Sequence, residues 1–162
     1  MEPLIIACDP GTANTGLVYM DRERVEDVLT VHINGGIRND QYALLERAAQ
    51  IAERLKSWMA DKPHEAIVIE GFIGYPGRQG GYTYHTPYLC GYLHRALEGE
   101  RIVIQTSRQV LNCKTRGNLA SLREAMAAGD CRWDGAEKLT NDHLRAAACH
   151  GAYYLERNGI EH

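Results

Sequence analysis

Two short apolar runs, each closed by a carboxylate, constrain this chain most. Leu4-Ile5-Ile6-Ala7-Cys8 ends in Asp9-Pro10-Gly11, and Ala66-Ile67-Val68-Ile69 ends in Glu70-Gly71. A continuous apolar run of this length, cut off by turn residues, is the pattern of a central strand buried on both faces. Such strands lie in α/β sheets covered by helices, and ligands bind such sheets at the carboxyl ends of the strands. If the two strands are parallel neighbours, Asp9 and Glu70 emerge about one strand spacing apart, roughly 5 Å. Two like charges at that distance are unfavourable unless a cation lies between them. Oxygen ligands select a hard divalent ion such as Mg²⁺, with Mn²⁺ as substitute.

The remaining pattern completes a mixed sheet. Residues 16–20 and 25–33 read as two further strands, the second without strict alternation. Residues 101–105 read as another. Across residues 41–59, Ala43, Leu44, Ala48, Ile51, Ala52, Leu55 and Met59 recur at three- and four-residue spacing, the mark of an amphipathic helix. Further helices are expected from the loop beyond Glu70 to about Leu97, and over residues 107–110, 118–127 and 142–157. The order gives an α/β fold with a central five-stranded mixed sheet flanked by helices, its first three strands antiparallel and the later ones reached by crossovers. At 162 residues, without repeats or linker-like tracts, residues 1–162 are expected to form one domain. Asp142 opens the last helix, whose Leu144, Ala147, Ala148 and Tyr154 suit packing on the sheet. Its carboxylate is a candidate to close the site from that side, although Asp is also favoured in a first turn for capping alone.

These residues carry a family resemblance. The stretch from Ile5 to Gly16, with Asp9-Pro10-Gly11 after the strand, is similar to the first motif of RuvC-type Holliday junction resolvases. Ala66 to Glu70 resembles their second motif, and Asp142-His143-Leu144-Arg145-Ala146-Ala147-Ala148 with His150 their C-terminal acidic helix. The similarity spans nearly the whole chain and lies closest to divergent phage or prophage members. It implies an RNase H-like fold, a homodimer and Mg²⁺-dependent incision of branched DNA, in the service of DNA recombination and repair. Carried over by position, Asp9, Glu70 and Asp142 become metal ligands and catalytic residues, with Lys114 as a catalytic-side cation. The last motif departs from the family, which shows two acidic groups, or His and Asp, three residues apart. Here Leu139 and Arg145 flank Asp142 at that spacing. Either His143 supplies a further ligand or three protein ligands suffice.

Charge alone argues against a chain that coats DNA: Lys and Arg total 18 against 21 Asp and Glu, a formal net charge of -3. The positive residues are nonetheless concentrated. Arg101, Arg108, Lys114, Arg116 and Arg123 fall in residues 101–123, which hold no acidic residue. That stripe suits phosphate contacts, or is a solvated loop. Phe72 and Tyr75, with Arg78, lie in a glycine-rich loop directly after Glu70, where aromatic rings could stack on unpaired bases or fold back onto the core. Tyr84, Tyr88 and Tyr92 share a helix face that fits a dimer interface or the monomer core. The five cysteines form no Cys-x-x-Cys pair and read as reduced, buried thiols. No apolar run suffices to span a bilayer and the first residues lack a signal-peptide pattern, so no membrane association and a cytoplasmic location are expected.

Two rival functions share these features. An RNase H-like nuclease of the YqgF type acting on RNA would carry the same strand-end Asp and Glu. A non-catalytic module that binds branched DNA would account for the incomplete last motif. An actin-like or sugar-kinase phosphate-binding reading of Asp9-Pro10-Gly11-Thr12 is weaker, because that fold needs two such lobes and this chain has room for one.

Overall fold

The computed structural model describes residues 4–34, 41–71, 85–111 and 133–158. Five strands, β1 (Ile5–Asp9), β2 (Asn14–Met20), β3 (Val25–His32), β4 (Ile67–Gly71) and β5 (Ile102–Thr106), form one sheet in the order β3-β2-β1-β4-β5. β1, β2 and β3 are antiparallel neighbours, and β4 and β5 continue parallel to β1. The expected mixed five-stranded sheet is therefore present. The irregular alternation in β3 has a structural counterpart in a register shift opposite Tyr19 and Met20.

Helices cover both faces. α1 (Gln41–Met59) and α2 (His85–Ala96) pack on one, and α4 (Asp142–Asn158) on the other. The short α3 (Ser107–Leu111) leaves the end of β5 directly. Strand alternation sorts the core between these layers. Ile6, Cys8, Leu17, Ile67 and Ile69 point toward Ile51, Leu55, Leu89 and Leu93 of α1 and α2. Ile5, Ala7, Val18, Met20 and Val68 point toward Leu144, Ala147, Ala148 and Ala152 of α4. Within α2, Tyr92 packs against the core whereas Tyr88 is 43 % exposed, so the tyrosine face divides between core and surface. Cys8 and Cys90 are buried thiols. Among the described residues no helix is long and apolar enough to cross a membrane.

α4 lies unusually close to the sheet because small residues meet there. A Cβ on Gly16 of β2 would stand 2.5 Å from the carbonyl carbon and oxygen of His143. One on Gly151 would stand 2.6 Å from Met20 Sδ and 3.1 Å from Ala7 Cβ. The start of α4 is pinned by Asn141, whose side-chain oxygen accepts from Leu144 N–H at 3.0 Å while its amide donates to Thr30 Oγ1 of β3 at 2.9 Å. A short 3₁₀ turn at Ala136–Lys138, absent from the sequence expectation, leads into this cap. Lys138 Nζ donates to the carbonyls of Val25 and Glu26 and ties the turn to β3.

Candidate active site

Period-two alternation carries the polar residues to one place. On the α4 face, Ala7, Val68 and Val103 form an inner row. The next residues of the same parity are Asp9, Glu70 and Gln105, at the carboxyl ends of three parallel strands. Glu70 and Gln105 are direct register partners, and the β1–β4 register ends at Cys8 and Ile69, one residue before Asp9 and Glu70. The expected adjacency of the two carboxylates is thus built into the sheet. The Glu70 charge acts directly on Asp9.

The turn after Asp9 is held from below. Arg47 of α1, itself buried, donates to the carbonyl of Thr12 at 2.9 Å, and Thr15 Oγ1 donates to that of Gly11 at 2.9 Å. A Cβ on Gly11 would meet the carbonyl oxygen of Asn14 at 2.2 Å and His143 Cε1 at 3.1 Å. Glycine at this position therefore admits the imidazole of His143.

α4 supplies the opposite wall. His143 Nδ1–H donates to Asp9 Oδ2 at 2.8 Å. Seven residues on, two helical turns along the same face, His150 is 3 % exposed and brings Nε2 to 3.6 Å from Glu70 Oε2. Its Nδ1 meets Gln105 Oε1 at 3.3 Å. From α3, Ser107 Oγ donates to Glu70 Oε1. Each carboxylate thus has its own imidazole, and Glu70 has a hydroxyl as well.

The two carboxyls differ electrostatically. Burial and the neighbouring Glu70 charge push Asp9 up from 3.8 to about 6, against the opposing bond from His143. Burial also raises Glu70, but the contacts from His150 and Ser107 outweigh it and hold that carboxyl below its ordinary value. A raised Asp beside an ionised Glu marks a site short of positive charge. Two oxygen-donor carboxylates in that condition fit a hard divalent cation.

Asp142 is not brought to this pair. Successive helical residues point about 100° apart, so with His143 turned to Asp9 the preceding side chain turns away. The Asp142 carboxylate is 98 % exposed and pairs with Arg145 at 3.3 Å. Among the described residues, no three His, Cys, Asp or Glu side chains form a group that could hold a metal ion, so the carboxylate pair is the part of the expected ligand set that the fold assembles. Arg108 is exposed on α3, next to Ser107. Phe72, Tyr75, Arg78, Lys114, Arg116 and Arg123 lie outside the described residues. Sequence reasoning missed Ser107, Gln105 and the contact of His150 with Glu70. The seven-residue spacing of the two histidines and the parity of Gln105 with Val103 were the available signals.

The fold is that of RuvC resolvases, an RNase H-like α/β fold. The chain is similar to Thermus thermophilus RuvC in complex with a Holliday junction substrate, with a TM-score of 0.72 at 16 % identity over 98 % of this chain and 96 % of that one. A second T. thermophilus RuvC structure gives 0.67 at 17 % identity, over 96 % of each chain. The Fowlpox virus resolvase, in a complex with Holliday junction DNA, gives 0.51 at 9 % identity over 94 % of this chain and 99 % of that one. No protein-family model and no curated protein matches the sequence.

Proposed function

We propose that this chain is a metal-dependent, structure-selective endonuclease that cuts Holliday junctions or related branched DNA. The observation that carries this reading is the Asp9–Glu70 carboxylate pair at the ends of adjacent parallel strands. The agreement with RuvC over almost the full length of both chains supports it, because T. thermophilus RuvC and the Fowlpox virus resolvase are each seen in complex with a Holliday junction.

In this reading Asp9 and Glu70 hold Mg²⁺, or Mn²⁺ in its place. A bound divalent ion supplies a lowered pKa for water and positive charge against the phosphate. The protein's own groups set the stage for it. His143 fixes the Asp9 carboxylate through Nδ1 and brings an imidazole to the site. Arg108 of α3 and the basic residues Lys114, Arg116 and Arg123 neutralise flanking phosphates, with Lys114 nearest in role to the cutting step. Phe72 and Tyr75, with Arg78, engage unpaired bases at the branch. Two symmetric incisions need two such sites, so the active species is a homodimer, with the exposed Tyr88 of α2 at its interface.

The test is cleavage of a labelled four-way junction, a linear duplex and a structured RNA, each with Mg²⁺ and with EDTA. Metal-dependent nicking confined to the junction is expected. Preferential cleavage of the RNA would move the chain to the RNA-directed rival. The exposed position of Asp142, away from the carboxylate pair, favours one second reading, a branched-DNA-binding module without turnover. Tight junction binding in EDTA with no cutting in Mg²⁺ or Mn²⁺ would select it. Light scattering at micromolar concentration should report twice the mass of one chain.

A further inference from the structure

Glu70 is surrounded in a way that its neighbour Asp9 is not. Its two oxygens are addressed separately, Oε1 by the Ser107 hydroxyl and Oε2 by the His150 imidazole, and His150 is in turn met by Gln105. The three groups come from three elements, α3, α4 and β5, so their meeting is a tertiary feature rather than a local one. We infer that Ser107, His150 and Gln105 form a positioning set that fixes the orientation of the Glu70 carboxylate for a bound divalent cation.

Packing alone does not account for the two buried members. His150 sits on the helix face that otherwise contributes Ala147, Gly151 and Tyr154 to the core, and it is 3 % exposed. Gln105 is 5 % exposed on a strand whose other residues are mostly apolar. Putting an imidazole and a carboxamide into that layer costs desolvation that an apolar pair would not incur. Both polar ends are directed along one line toward Glu70: Gln105 to His150, and His150 to Oε2. A carboxylate free to rotate would present either oxygen to a cation. One bonded to a hydroxyl at Oε1, with an imidazole 3.6 Å from Oε2, has restricted lone-pair directions, which is how groups behind a metal ligand raise affinity and set geometry.

This inference rests on the reading of Glu70 as a metal ligand, and its test reads the cation directly. Mn²⁺ binding is measured by electron paramagnetic resonance, and junction cleavage and junction binding in EDTA are measured beside it. The variants are Ser107→Ala, Ser107→Thr and His150→Leu, the last of similar bulk so that the core stays filled. Ser107→Ala and His150→Leu are each expected to weaken Mn²⁺ binding about 10- to 100-fold and to slow cleavage, with junction affinity in EDTA unchanged. Ser107→Thr, which keeps the hydroxyl, is expected to restore both. Should His150→Leu not fold, the Ser107 pair decides alone. Wild-type Mn²⁺ affinity in Ser107→Ala would overturn the inference while leaving the nuclease reading standing. A wild-type chain that neither binds Mn²⁺ nor cuts junctions would overturn both.

Discussion

Replacing Asp9 with Asn removes a charge that the folded protein carries at a cost. Burial and the adjacent Glu70 raise the carboxyl from 3.8 to about 6, while the unfolded chain keeps the ordinary value. The folded state therefore holds a proton on Asp9 that the unfolded state has released between those two values. Stability from this group is fully present below about pH 4 and is lost as pH rises to about 6. At neutral pH the loss amounts to about 3 kcal/mol as an upper bound, at about 1.4 kcal/mol for each pH unit. Asp9→Asn avoids ionisation and retains an oxygen acceptor for His143. In EDTA at pH 8 the variant should be more stable than the wild type by up to about 3 kcal/mol, equivalent to several degrees in Tm. Near pH 4 the gap should close. Urea denaturation of both proteins at pH 4, 6 and 8 measures it. A wild-type protein that matches or exceeds the variant at pH 8 would refute the claim that this carboxylate pair is electrostatically strained. Mn²⁺ should reverse the order by stabilising the wild type and not the variant.

Two further outcomes follow from the way α4 is seated, and a third from the basic residues that follow β5. Gly16→Ala drives a Cβ into the His143 carbonyl and should cost about 3 kcal/mol and most cleavage, read by denaturation and a junction assay. Asn141→Ala removes the cap and the Thr30 bond together, and should cost about 1–2 kcal/mol with slower cutting but unchanged junction affinity. Lys114→Ala and Arg108→Ala should each reduce the salt slope of junction binding by about one, measured by fluorescence anisotropy across salt concentrations; an unaltered slope removes that residue from the phosphate-contacting set.

Legibility in the sequence followed the range of the forces involved. β1 and β4 were readable because a strand buried on both faces must be a continuous apolar run, and the carboxylates closing those runs followed at once. α1 and α4 were readable from their apolar spacing. The 3₁₀ turn at Ala136–Lys138 left no such mark, since it is held by Lys138 reaching the carbonyls of Val25 and Glu26, more than a hundred residues away. The support around Glu70 was hidden for the same reason: Ser107 meets it across 37 residues and His150 meets Gln105 across 45. Asp142 attracted attention as the acidic residue of its motif. The rotation of a helix about its own axis decides which of two consecutive side chains faces the sheet, and packing set that rotation through Gly16 and Gly151 rather than through charge.

The bond from His143 to Asp9 joins residues 134 positions apart. On the ribosome the carboxylates are therefore made first and the wall that completes their site is made last. Between β4 and α4 lies synthesis time on the order of ten seconds at ordinary elongation rates. Throughout it, the sheet face of Ile5, Ala7, Val18 and Val68 lacks Leu144, Ala147, Ala148 and Ala152 of α4. A nascent chain thus passes through an inactive stage with an uncovered apolar surface. Chains that terminate before residue 142 should stay there, insoluble and without cutting activity.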